Sequence, residues 1–136
     1  MSPLIDFSHE FQYKELEFGL WCPALIVTLI GPKSKEYFPA IIDTGATYCF
    51  FNGKRAAPIG LELTSGRRQT MSSLAGSFTA WIHEVELEIF GKRFRCEVAF
   101  SEQDIPRELL GRHTLFKQIR LGFREGISTG YFHPQP

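Results

Sequence analysis

A chain of 136 residues fits one compact domain that buries about two-thirds of its unfolded surface, and leaves little room for a second. Its 15 basic and 15 acidic residues cancel to a net charge of +0, so no overall field favours nucleic acid or an anionic membrane. The basic pairs Arg67-Arg68 and Lys92-Arg93 are too short to change this and read as solvated surface.

In chain order, the opening segment MSPLIDFSHEF lacks the charged and apolar regions of a signal peptide, and no later segment reaches the roughly 18 apolar residues of a membrane span. Phe11 to Leu20 and Ala24 to Ile30 read as strands, the second a nearly continuous apolar run ended by Gly31-Pro32. The stretch YFPAIIDTGATYCFF, from Tyr37 to Phe51, reads as a buried strand that carries one carboxylate, Asp43. Asn52-Gly53 stops it, and KRAAPIGLEL follows as a loop or helical turn. MSSLAGSF, Met71 to Phe78, is a hairpin of small residues between two β runs.

The clearest pattern runs from His83 to Phe100. Val85, Leu87 and Ile89 alternate with Glu84, Glu86 and Glu88, and then Phe94, Cys96, Val98 and Phe100 alternate with Arg95 and Glu97. Gly91-Lys92 falls where a tight turn is needed, which predicts an antiparallel pair with one face buried and charges paired across the other. From Arg107, the sequence ELLGRHTLFKQIRLGF predicts a short helix over about Arg112 to Phe116 and a last strand through Ile119, Leu121 and Phe123. The core is expected over about 11–124. The tail 125–136, with the Pro-rich STGYFHPQP, is expected to be mobile or to lie in a dimer interface.

Cys22, Cys49 and Cys96 are widely separated and form neither a disulfide framework nor a C-x-x-C pair, which favours a reduced, cytoplasmic setting. The four histidines show no metal-binding spacing, and no G-x-S-x-G elbow marks a serine hydrolase, so neither a metal nor another cofactor is expected. Cys49 reads as a small core residue.

One placement stands apart. Removing a lone carboxylate from water is costly, and Thr44, Gly45 and Ala46 carry no charge to offset Asp43, so this aspartate is a candidate functional group. The run IIDTGATYCFF, followed some sixty residues later by ELLGRHTLF, resembles the retropepsin-like aspartic proteases, single-domain relatives of pepsin that work as homodimers. The resemblance spans roughly Ala24 to Phe123. It implies an all-β, closed barrel of the acid-protease type with one short C-terminal helix. It also implies an active-site loop at Asp43, Thr44, Gly45, Ala46 and Thr47, and a flap over the cleft near Leu74, Ala75 and Gly76. Trp81, just past the flap, is a candidate cleft residue, and Gly111-Arg112 a structural brace for the active-site loop or the dimer interface. His113 departs from the family, which often has Asp or Asn there.

The chemistry of such a site needs two carboxylates that share one proton, one acting as base toward water while the other protonates the substrate carbonyl. Gly45 permits the close turn, Thr44 offers a hydroxyl that can bond across the pair, and Ala46 leaves room for a substrate backbone. The chain has three aspartates, Asp6, Asp43 and Asp104, and Asp43 alone lies in a D-T-G setting. One chain thus supplies half a dyad, and a two-fold homodimer becomes part of the mechanism. The expected function is an aspartic endopeptidase acting on a peptide or protein substrate. Two alternatives stay open: a non-catalytic dimeric peptide-binding module with the same barrel, and a monomeric barrel holding a small apolar ligand.

Overall fold

The computed structural model describes residues 6–73 and 76–135. Twelve strands follow in order: β1 His9–Gln12, β2 Lys14–Glu17, β3 Leu20–Cys22, β4 Ala24–Ile30, β5 Lys35–Ile42, β6 Cys49–Asn52, β7 Arg67–Ser73, β8 Gly76–Ile89, β9 Lys92–Ser101, β10 Leu109–Leu110, β11 Ile119–Arg124 and β12 Thr129–Pro134. The expected first strand, Phe11 to Leu20, is divided. Its start pairs with β12, and its remainder makes the separate hairpin β2–β3 through a turn at Phe18-Gly19. KRAAPIGLEL contributes to three 3-10 turns, Gly53–Arg55, Ala57–Ile59 and Leu63–Ser65.

The large sheet has the order β4-β5-β10-β6-β9-β8-β7, and Thr28–Ile30 of β4 also pairs with Glu86–Glu88 of β8. The hydrogen-bonded circuit through β4, β5, β10, β6, β9 and β8 therefore returns on itself. Its inner face carries Leu25, Val27, Leu29, Phe51, Leu87, Val98, Phe100 and Leu110, all essentially inaccessible to solvent. The long pair β8–β9 matches the alternation: Val85, Leu87 and Ile89 point inward, while on the outer face Arg95 reaches Glu84 at 2.9 Å and Arg93 lies 3.5 Å from both Glu86 and Glu88. The turn sits one residue earlier than the sequence suggested. Ile89 pairs with Lys92, and Phe90 (φ 50°) and Gly91 (φ 76°) form the two-residue connection. Positive φ at a phenylalanine is unfavourable; here the ring packs against His9 at 4.4 Å and against Phe132 at 5.2 Å.

The C-terminal region departs from expectation in two places. After Gly111 the chain makes a turn over 112–115 and then the 3-10 turn Phe116–Gln118, so the helical element begins four residues later than read and has 3-10 geometry. The segment 125–136, expected to be mobile or to lie in a dimer interface, contains β12, the central strand of a smaller sheet, β1-β12-β11. The alternation explains this: Phe132 is fully buried among Phe90 and Phe94, and Thr129 and Gly130 are buried too, so the strand has a core-facing side and its one proline, Pro134, falls at its end. Among the described residues, no helix is long and apolar enough to cross a membrane. Phe132→Ala is expected to lower unfolding stability by about 3–5 kcal/mol in urea denaturation, the cost of an emptied aromatic core site; a mobile tail would show no change.

Candidate active site

Asp43 stands one residue beyond β5, at the point where the sheet is wedged by the short strand β10. Leu109–Leu110 runs parallel to Ile41–Ile42 on one side and pairs with Phe50 on the other, so β10 lies between the strand that enters the loop and the strand that leaves it. The loop is tied to this wedge through backbone groups. Asp43 N–H donates to Leu110 C=O at 3.0 Å, Arg112 N–H to Ala46 C=O at 2.9 Å, and His113 N–H to Thr47 C=O at 2.6 Å. Ala46 N–H closes the turn onto Asp43 C=O at 3.1 Å, and Gly45 N–H donates to Asp43 Oδ1 at 2.9 Å. The carboxylate is thus aimed by a backbone amide two residues on, and its other oxygen has no hydrogen-bond partner among the described residues.

Two glycines follow from this geometry. A Cβ at residue 111 would lie 2.2 Å from the Tyr48 carbonyl oxygen and 2.9 Å from that of Ala46, so only glycine lets the wedge approach the loop. A Cβ at residue 45 would lie 3.3 Å from Asp43 Oδ1 and crowd the carboxylate. Gly111 N–H also points at Cys49 Sγ, 3.4 Å away. Burial pushes the Cys49 thiol up to about 12, and it is fully buried, in keeping with a core role.

Asp43 is half-buried at the floor of an open cleft, not inside a strand as the apolar run suggested. The cleft has a volume of about 790 Å³; Asp43, Gly45, Ala46 and Thr47 line one part, and Tyr48, Phe50, Met71, Phe78, Ile105 and Leu109 make its apolar walls. Thr44 and Thr47 are exposed and line a neighbouring groove with Arg112 and His113. The proposed flap region takes part through Met71, Ser72 and Phe78; Gly76 opens β8 with φ 123°, while Leu74 and Ala75 lie outside the described residues. Trp81 does not line this cleft. Strand parity places Phe78, Ala80 and Ile82 toward it and Trp81 on the opposite face, where its indole N–H is buried with no hydrogen-bond partner among the described residues.

Two ionic groups that the sequence did not single out hold the walls. Arg55, over the Phe38 ring at 3.5 Å, donates through Nε and Nη2 to both oxygens of Glu108 at 2.5 Å and through Nη1 to Glu36. Burial acts to lower the guanidinium pKa, but Glu108 and Glu36 outweigh it and raise it. Glu108 also accepts Asn52 N–H, and the Asn52 side chain brackets Ile105 through both its N–H and C=O, which fixes residues 105–109 as a wall of the cleft. On the other flank His113 Nε2 donates to Glu97 Oε1 at 2.7 Å, Arg67 lies 3.4 Å from Glu97, and the Tyr48 ring stands edge-on to His113 at 4.9 Å. This group joins β7 to the loop after Gly111. The Arg112 guanidinium is exposed, with no hydrogen bond or ion pair among the described residues, so its brace is made by its backbone. No cluster of His, Cys, Asp or Glu among the described residues could hold a metal ion.

The fold resembles that of EIAV protease, solved in complex with the inhibitor HBY-793: the TM-score is 0.52 and the identity 19%, over 67% of this chain and 82% of that one. The chain thus has a fold like that of a retroviral protease. No protein-family model and no curated protein sequence matches it.

Two outcomes follow. Gly111→Ala should destabilise the protein by at least about 3 kcal/mol in thermal or urea melts, because backbone atoms on both sides cannot yield. The hydrogen bond from His113, followed by its charge and that of Arg67, holds the Glu97 carboxyl below its ordinary value of 4.5. A lowered folded pKa means stabilisation present above that ordinary value and lost as pH falls through the folded one. Glu97→Gln should therefore flatten the fall in melting temperature below about pH 4.5.

Proposed function

We propose that this protein is an aspartic endopeptidase of the retropepsin type, a closed β-barrel that acts as a two-fold homodimer with one Asp43 from each chain in its active site. The observation that carries the reading is a single carboxylate, in a D-T-G turn clamped by Gly111, at the floor of a half-open apolar cleft. The fold likeness to a retroviral protease supports it.

In the dimer the two Asp43 carboxyls flank a water and hold one proton between them, since like charges held close cannot both ionise. The ionised carboxylate takes a proton from the water as its oxygen attacks the scissile carbonyl carbon. The protonated carboxyl delivers its proton to the carbonyl oxygen; the C–N bond then breaks as the first carboxyl passes the proton taken from water to the leaving amine and the second takes one from a hydroxyl of the intermediate, which leaves one proton on the pair as at the start. The Gly45 N–H holds one oxygen of each carboxylate, which leaves the other for this exchange. An extended peptide lies along β7, an end strand of the large sheet, with its side chains toward Phe50, Met71 and Phe78. The β7–β8 hairpin closes over it as a flap. Thr44 bonds across the pair, and the exposed Arg112 guanidinium meets a group of the second subunit.

Asp43→Asn should reduce peptide cleavage by at least about 10³-fold across an acid-to-neutral pH series, with the dimer intact by light scattering. No cleavage of a diverse peptide library by the wild-type dimer would favour the peptide-binding module. A stable wild-type monomer would end the dyad mechanism.

A further inference from the structure

We propose that the β2–β3 hairpin is an arm by which one copy of this chain grips a second beside the paired Asp43 loops; the proposal rests on the dimeric reading above and identifies the surface that holds the dimer. The hairpin pairs with no other strand among the described residues, and two isolated strands are marginal in water. It nevertheless presents apolar side chains outward. Phe18, at its turn, is fully exposed, Trp21 is 56% exposed, and Leu16 and Leu20 each expose more than a third of their surface. Spread over the turn and both faces of the hairpin, they offer on the order of 400 Å² of apolar side-chain surface, which a partner closing around the arm would cover.

Its position connects this patch to the carboxylate. Ala24 pairs with Ile41 in antiparallel register, and Ile42 N–H donates to Pro23 C=O at 2.8 Å. Pro23, which joins the hairpin to β4, is thus bonded to the residue that immediately precedes Asp43. The other root is tied down where Tyr13 N–H donates to Ser128 C=O and the Tyr13 hydroxyl to Glu125. The arm therefore springs from the end of the sheet at which a second copy must arrive to complete the site.

Size and charge fit that occupant. A stable interface buries roughly 800 Å² per partner, so the arm supplies about half and the loops around the axis the rest. The segment Lys14 to Cys22, KELEFGLWC, carries one lysine against two glutamates, a balance unsuited to an anionic lipid surface but compatible with a two-fold contact in which the same patch serves both subunits.

The test compares wild type with the double variant Phe18→Ser/Trp21→Ser by sedimentation equilibrium and by cleavage of a peptide that the wild type is shown to cut. Support would be a dimer dissociation constant raised at least about 30-fold, an unchanged far-UV spectrum, and cleavage that recovers as protein concentration is raised. Wild-type dimerisation by the variant would overturn the arm while leaving the dimeric protease standing. A wild type that stays monomeric would overturn both. Should the variant fail to fold, p-benzoylphenylalanine at position 18 decides the matter: a cross-link between two chains supports the arm, and none in a verified dimer refutes it.

Discussion

The site depends on how closely Gly111 lies against the carbonyls of Ala46 and Tyr48. That contact lets β10 enter between β5 and β6 and fill what would otherwise be a gap in the sheet at its most polar point. A loop carrying a carboxylate out of an apolar strand leaves several backbone groups in need of partners, and unpaired buried groups are costly. The wedge satisfies them from one side through Leu110, Arg112 and His113, while the turn satisfies Asp43 from within. The aspartate is therefore held by main-chain geometry, with few rotatable bonds between it and the core.

Around this rigid centre the cleft walls are held more loosely, by charge. Arg55, Glu36 and Glu108 sit partly buried and locate residues 105–109, whereas the Arg67–Glu97–His113 group is more exposed and ties strand β7 to the loop that follows the wedge. Removing one partner of a shielded pair strands the other charge, whereas exposed pairs are screened and individually weak. The wall over residues 105–109 is thus the firmer of the two, and the β7 side is the one suited to movement.

How much of this was legible in the sequence depended on the range of the interaction. The β8–β9 pair could be read because alternation of Val85, Leu87 and Ile89 with glutamates is a local signal, and Asp43 because a lone charge breaks an apolar run. The tail 125–136 was read as mobile or as part of a dimer interface because its Pro-rich end and polar residues outweigh the single face that Phe132 and Gly130 bury, and half of the pairing that makes this face comes from β1, at the other end of the chain. Trp81 was a candidate cleft residue by nearness to the expected flap, although parity counted from Ala80 and Ile82 could have pointed to Phe78 instead. The helix was read too early, at Arg112, because Thr114 takes a positive φ of 65° while its hydroxyl accepts Glu97 N–H, and a left-handed residue ends a run of right-handed helix. Arg55 and Glu108 carried no sequence signal, since a pair 53 residues apart leaves none.

The placement of β12 between β1 and β11 sets the order in which the molecule can come together. His9 pairs with Phe132, and Ile41 with Leu109, so both the terminal sheet and the support beneath the carboxylate join segments remote along the chain. Such contacts form late, because the intervening loops must be closed before the contacts return any free energy. A nascent chain that has exposed Asp43 but not Gly111 has no clamp for it. The carboxylate acquires its geometry only when the segment around Gly111 has been made and has folded back, so competence of the site is timed by residues made about seventy positions after Asp43 itself.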